Sequence, residues 1–277
     1  VDLISWKAEL EASLNNLGCS LFKVPHPTLT LLKIQGSPLI FNLLSHSNSI
    51  KISTVVEFQR QTIEANLQLI NLWEDVWINS RKQVLYRIGS LLGLNKKVFG
   101  RKTSFRILCK EEASDFFNLY HLQGSAKAKY TMCLTYEDEV VAAASFSEPL
   151  NMTRKSPGYT SAELIRFACK GDITVIGGLT KLIKKFADQF KPSDIMSYAD
   201  RDWSLGKGYD STGFSIDRVT EPQEIWLNIK EMKRYFQHRL PIKISPDLKP
   251  EELESYLLES GYRKIFNTGN LKFKLFF

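Results

Sequence analysis

Three places in this chain group residue types that can do chemistry. The run Ser197-Tyr198-Ala199-Asp200-Arg201-Asp202-Trp203-Ser204 carries two hydroxyls, a phenol, two carboxylates, a guanidinium and an indole. It follows the apolar stretch of DIMSYAD, which reads as a strand, and open α/β sheets place ligands at strand ends. A role in the core accounts for Tyr198 and Trp203 but leaves Asp200, Arg201 and Asp202 unexplained. Upstream, Ile176-Gly177-Gly178-Leu179-Thr180 leads from a strand into an amphipathic helix. Glycines let the backbone turn tightly and let a ligand approach it, and the first N–H groups of a helix favour an anion. The same pattern also serves an ordinary strand–helix turn. His121 closes a helix and opens the glycine-containing loop HLQG. An imidazole there can act as a general base or metal ligand, or make a structural hydrogen bond at the helix end.

The elements that must position these groups follow from periodicity and breakers. A first helix runs from Ser5 to Leu17 and stops at Gly18. CSLFKV, TLTLLKI and PLIFNLL read as strands, punctuated by Pro25, Pro27, Gly36 and Pro38. Ser53 or Thr54 caps a helix to about Asn66, and LQLINLW is a strand. A helix from Asn79 to Gly93 carries Val84, Leu85, Ile88, Leu91 and Leu92 on one side. A second unit begins at Arg101. Its elements are a strand in KTSFRIL, a helix over Glu111–Tyr120, a hairpin turning at Glu137-Asp138-Glu139, a strand in AELIRFACK, the glycine-led helix, DIMSYAD, and a short helix in GKGYDSTGF. Two further strands, a helix at Lys249–Glu259 and a last strand at Leu271–Phe277 complete the chain.

Charge narrows the function. The net charge is +7, and residues 81–110 hold nine basic side chains and no acidic one. Such a run attracts polyanions, and its alternative is a solvated basic face. Arg81, Lys82, Arg87, Lys96, Lys97 and Arg101 are therefore candidates for contacting nucleic acid. No apolar run is long enough to span a membrane, and the acidic, amphipathic start of the chain does not read as a signal peptide. Cys19, Cys109, Cys133 and Cys169 lack metal-ligand spacing and read as buried free thiols of a reducing cytoplasm.

HLQG, ELIRF (Glu163–Phe167), VIGGLTKL (Val175–Leu182), SYADRDWSLGKGY (Ser197–Tyr209), Gly213-Phe214 and GYRKIFNTGNLKF (Gly261–Phe273) together resemble a C-terminal domain of phage proteins. That domain is similar to the Mom family of DNA modifiers, which are GNAT-like. The resemblance covers residues 77–277 and implies an α/β (α+β) fold with a GNAT-like mixed sheet and flanking helices. It implies transfer of an acyl-derived group to an adenine amino group in DNA, with acetyl-CoA or a related donor held at Ile176, Gly177, Gly178, Leu179 and Thr180. A metal ion, held by His121 and Asp200, is a further implication. The expected catalytic set is His121, Tyr198, Asp200 and Ser204, with His121 and Asp200 close together. Arg166 and Arg201 are expected at phosphates, Arg166 alternatively snorkelling off its strand, and Tyr198 or Trp203 stacked on a flipped base. Two other functions are kept open, an inactive nucleic-acid-binding module and a conventional GNAT N-acetyltransferase.

In such phage proteins the preceding domain resembles a Vsr-type endonuclease, and here the first helix and LINLWEDVW (Leu69–Trp77) match its outline. That chemistry needs carboxylates on central strands to hold Mg²⁺, yet no Asp or Glu occurs between Leu21 and Val56. The expected organisation is a degenerate, inactive nuclease-like domain over 1–77, a basic helical linker over 78–100 and the transferase domain over 101–277.

Overall fold

The computed structural model describes residues 5–47, 49–153, 155–241 and 249–277. The chain forms two compact units. Unit 1 comprises Val1–Arg81, Asp200–Leu205 and Thr220–Asn270, and unit 2 comprises Lys82–Ala199, Gly206–Val219 and Leu271–Phe277. This corrects the serial division at residues 77 and 100. The stretch 78–100 is no linker but is shared between the units, and residues 220–270 fold with the N-terminal part.

Unit 1 starts with α1 (Trp6–Asn16), capped by the Ser5 hydroxyl, which accepts from the Ala8 N–H. Then come β1 (Leu21–Val24), β2 (Leu31–Ile34), β3 (Leu39–Leu44), α2 (Ile52–Glu64) and β4 (Gln68–Trp73). The four strands lie in the order β1-β2-β3-β4, antiparallel except for the β3–β4 pair, which α2 connects. The residue at the N-cap of α2 is Lys51 rather than Ser53 or Thr54, and it makes no side-chain cap bond. Every residue of β3 and β4 is buried, as expected of strands covered on both faces. The polar side chains on these two strands are amides: Asn42, Gln68 and Asn71. Helix α3 (Glu74–Leu91) is broken at Ser80, whose φ of −135° is not helical, and the unit boundary falls next to this break.

Unit 2 continues with β5 (Lys96–Phe99), a 3₁₀ turn at Gly100–Lys102, β6 (Ser104–Ile107), α4 (Lys110–Tyr120), β7 (Tyr130–Tyr136), β8 (Glu139–Phe146), β9 (Leu150–Asn151), β10 (Thr160–Cys169), β11 (Ile173–Ile176), α5 (Gly178–Phe190), β12 (Asp194–Asp200), α6 (Lys207–Asp210) and β13 (Ser215–Val219). The next elements, β14 (Gln223–Asn228), β15 (Lys233–Tyr235), α7 (Pro250–Glu259) and β16 (Tyr262–Asn267), belong to unit 1, and β17 (Asn270–Phe276) completes the sheet of unit 2. The reason is burial. Ile225, Leu227, Ile265 and Phe266 from β14 and β16 share one core with Leu31, Ile40, Leu44, Leu69 and Trp73.

The main sheet of unit 2 runs β13-β17-β12-β10-β8-β7-β6. Strands β6, β7, β8 and β10 are antiparallel neighbours, and β10–β12 is a parallel pair connected through α5. Ala142, Ala144, Phe146, Leu164, Ile195, Ala199 and Phe273 share a core with Leu182, Ile183 and Phe186 of α5. Cys133, Ala143 and Ala168 pack on Phe116 and Phe117 of α4. This is a mixed sheet with a helix on each face. Strand β5, not foreseen from the sequence, pairs in parallel with β11. Among the described residues no helix is long and apolar enough to cross a membrane.

Candidate active site

The parallel pair β10–β12 is short. Its register runs only from Ser161↔Asp194 to Leu164↔Ser197, although β10 continues to Cys169 and β12 to Asp200. Past Leu164 and Ser197 the strands part, and a register shift between Leu164 and Arg166 against β8 marks the same place, as bulges do beside sites that re-aim side chains. The Ser197 hydroxyl donates to the Leu164 carbonyl at 2.8 Å and lies 2.9 Å from the Tyr209 hydroxyl. Tyr209 stacks on Phe273 with ring centroids 4.6 Å apart, which fixes the phenol. Burial raises its pKa above the ordinary tyrosine value, while Ser197, Arg87 and Arg166 oppose that rise.

The α4 side of the gap is polar. Cross-strand register sets Cys133 beside Ala143 and Ala143 beside Ala168, the row under α4. Two residues along, Thr131 faces Ser145 and Ser145 faces Arg166, so by strand alternation this second row lies on the same side. Arg166 donates from Nε to the Gly124 carbonyl at 3.2 Å and from Nη1 to the Ile165 carbonyl at 3.0 Å. It is therefore no snorkelling side chain. The turn it holds begins at His121, since the Gly124 N–H donates to the His121 carbonyl at 2.9 Å.

His121 differs from the expected general base. Its Nδ1 accepts from the Gln123 N–H at 3.1 Å, so the ring proton sits on Nε2. Burial, then Arg166, then Arg87 lower its pKa to about 3. At neutral pH the ring is uncharged and a weak base, better suited to donating a hydrogen bond. Asp200 belongs to unit 1, whereas His121 belongs to unit 2. Its carboxylate accepts from the Asp202 N–H at 2.9 Å within unit 1, and it helps to raise the Asp202 pKa. Among the described residues no three His, Cys, Asp or Glu side chains cluster as a metal site, and two neighbouring guanidiniums make His121 a poor cation ligand.

At the second motif, Gly177 is the N-cap of α5 with φ of +72°, and a side chain there would meet nothing within 4 Å. Ile176 and Gly177 are exposed, Leu179 and Thr180 half-buried. Gly178 is glycine for packing, because a Cβ would come within 2.9 Å of the Val175 side chain. The 3₁₀ turn lies against this backbone, and a Cβ on Gly100 would be 3.1 Å from the Ile176 carbonyl oxygen. Lys181 fastens that turn by donating to the carbonyls of Gly100 and Thr103 at 2.9 and 2.5 Å. The exposed cations Arg101 and Lys102 thereby stand next to a helix N-terminus.

The remaining candidates separate. Tyr198 is 39% exposed, with the Lys272 ammonium 5.7 Å from its ring centroid. Trp203 is buried, at 5% exposure, and its carbonyl accepts from Gln68, so it presents no face for a base to stack on. Arg201 is half-buried, donates from Nη1 to the Thr268 carbonyl at 2.8 Å and is structural rather than phosphate-binding. Ser204 is half-buried in the same unit-1 segment. Arg81 is paired with Glu9, and Arg87 is half-buried near His121 and Tyr209. The basic run is thus no single helical face. Lys82, Lys96, Lys97, Arg101, Lys102 and Lys110 are its exposed members outside ion pairs, with Arg106 paired to Glu112. The four cysteines are free, but Cys109 is exposed at the N-cap of α4, not buried.

No protein-family model and no curated protein sequence matches the chain. Solved structures do. A Bacillus subtilis acetyltransferase in complex with CoA is 12% identical over 64% of this chain and 99% of its own, with a TM-score of 0.37. A GNAT family acetyltransferase from Elizabethkingia anophelis with acetyl-CoA bound is 11% identical over 64% and 99%, with a TM-score of 0.35. An IAA acetyltransferase from Bacillus cereus is 10% identical over 63% and 99%, with a TM-score of 0.34. At these values the reading of function rests on the geometry of the chain itself.

Sequence reasoning gave no role to Tyr209, Ser197 or Ser145. The first two lie inside the run Ser197–Tyr209 that carries the resemblance, where attention fell on Tyr198, Asp200 and Ser204. Ser145 carries no sequence signal, and only the register reveals it.

Proposed function

We propose that unit 2 is a GNAT-type acyltransferase that takes its acyl group from acetyl-CoA or a related thioester and passes it to an amine. The observation that carries this is the parting of β10 and β12 after Leu164 and Ser197, with the buried Tyr209 hydroxyl held at the opening. The donor's pyrophosphate suits the N-terminus of α5, where Gly177 leaves open space and Arg101 and Lys102 add positive charge. When bound, the donor supplies an acyl group activated as a thioester. Tyr209 keeps its proton at neutral pH because burial raises its pKa, so it can protonate a departing thiolate and recover a proton from the acylated nitrogen. Ser197 orients it. His121 Nε2–H is a donor available to a developing oxyanion.

As acceptor we propose a nucleobase amine, on the strength of Lys82, Lys96, Lys97, Arg101, Lys102 and Lys110, which remain exposed after the paired and half-buried basic residues of the run are accounted for. This is the Mom-like reading in its structural form. We read unit 1 as non-catalytic, because the polar side chains on its buried strands β3 and β4 are the amides Asn42, Gln68 and Asn71 rather than carboxylates. The test is thiol release from acetyl-CoA with DNA, nucleosides or a simple polyamine as acceptor, and mass spectrometry of the product. Tyr209→Phe should lower turnover by about 10²-fold with CoA affinity unchanged. Absence of CoA binding, or full turnover by Tyr209→Phe, overturns the reading.

A further inference from the structure

We propose that Arg166, Arg87 and the Ser145 hydroxyl form an anion pocket on the α4 side of the gap, holding a phosphate or carboxylate carried by the acceptor. This rests on the transferase reading for the word acceptor, but the pocket stands on separate observations. Arg166 and Ser145 are cross-strand neighbours on the polar row described above. Ser145 is 2% exposed, and its hydroxyl oxygen has no hydrogen-bond partner among the described residues. A buried hydroxyl in that condition costs free energy unless something meets it.

The guanidinium of Arg166 has five N–H groups. Its bonds to Gly124 and Ile165 use Nε and Nη1, fix its plane, and leave the Nη2 edge without an acceptor among the described residues. Arg87 and Arg166 both act on His121 and on Tyr209, so their charges converge on one place. The carboxylate facing Arg166 is Glu163, half-buried and itself raised in pKa by burial. Arg166 is itself partly desolvated, and burial lowers its pKa while Glu163 offsets that only in part. A carboxylate or phosphate would accept from the Nη2 edge of Arg166 and from the Ser145 hydroxyl together, and would bring its carrier to the opening where Tyr209 stands.

The test follows the ¹⁵N imidazole signals of His121, assigned with His121→Asn, in the full chain with and without CoA. Inorganic phosphate and sodium acetate are titrated separately. The expected result is a saturable shift of the His121 signals and a rise of its pKa as the anion offsets the two arginines. The stronger anion identifies phosphate or carboxylate as the group recognised. Arg166→Met should weaken that anion by about tenfold or more, and Arg166→Lys, which keeps the charge but loses the fork, by less. Signals of wild type indifferent to both anions up to about 100 mM, or undiminished binding by folded Arg166→Met and Arg87→Met, overturn the pocket. CoA binding without an anion response overturns the pocket alone, and an anion response without CoA binding overturns the transferase reading alone.

Discussion

Lowering the pH below about 6.5 should destabilise unit 2, and the group responsible is His121. Its imidazole is ordinarily half-protonated near pH 6.5 but in the fold only near pH 3, from burial first and the charges of Arg166 and Arg87 second. Between those values the unfolded chain binds a proton that the folded chain refuses. Stability therefore holds above about pH 6.5 and falls on acidification by ~1.4 kcal/mol per pH unit at full slope. From pH 6.5 to 5 the loss should be roughly 1–2 kcal/mol, a large share of the stability of a domain. Unit 1 should respond in the opposite sense. Asp202 is buried, and burial followed by Asp200 raises its pKa to about 7. There the folded chain holds a proton that the unfolded chain releases above about pH 4, so stability falls as pH rises from 4 to 7. All five tryptophans, Trp6, Trp73, Trp77, Trp203 and Trp226, belong to unit 1. Urea unfolding followed by tryptophan emission thus reports unit 1, and hydrogen exchange of β7 and β8 amides reports unit 2. Between pH 5 and 6.5 the first midpoint should fall with rising pH and the second protection should rise. His121→Asn, whose Oδ1 can accept from the Gln123 N–H, should remove the second trend, and Asp202→Asn the first. Parallel trends in both probes that neither variant changes would refute the reasoning.

Two further outcomes follow from the charged groups. Arg234 meets Asp75 through two bonds, Nε–Oδ2 at 2.6 Å and Nη2–Oδ1 at 2.9 Å, with the Asp75 side chain 4% exposed; Arg234→Met should cost roughly 3–5 kcal/mol in tryptophan-detected unfolding, and adding Asp75→Leu should recover much of it, since an unpaired buried charge is worse than none. Replacing Lys97, Arg101 and Lys102 with Ser should flatten the log–log salt dependence of DNA binding by about 0.9 for each phosphate no longer neutralised, and an unchanged slope in a fluorescence-anisotropy titration would remove these residues from the interface.

The sequence announces what is local. The helix α5 and the strands β3, β4 and β12 are legible because each element carries its own apolar period and its own breakers, and the turn at Gly177 is legible because positive φ favours glycine. What could not be read is what depends on partners distant in the chain. Lys96–Phe99 becomes a strand because β11 lies beside it. Residues 220–270 join unit 1 because Ile225 and Ile265 find their core around Leu31 and Trp73. Arg87 looks like a surface residue on a basic helix, and only the fold turns it toward His121 and Tyr209. The assignment of the segment after Ala199 to unit 1 was likewise hidden, because it depends on Asp202 accepting from Asn71 and Thr268, far away in the chain.

The placement of charge in unit 2 bears on why so basic a chain keeps its arginines half-buried. A cation taken out of water is disfavoured unless an anion meets it. In unit 1 that condition is satisfied for Arg234 by Asp75, and its pKa stays above the ordinary arginine value in spite of burial. In unit 2 it is not satisfied for Arg166, whose pKa burial lowers and which Glu163 offsets only in part. The two arginines therefore differ in kind. Arg234 completes a pair and holds β15 in place, whereas Arg166, in the pocket proposed above, keeps donors for a ligand beside a neutral imidazole and a hydroxyl that has no partner among the described residues. Local stability favours filling such a place with apolar side chains, and a ligand-binding role is the physical reason to keep it charged.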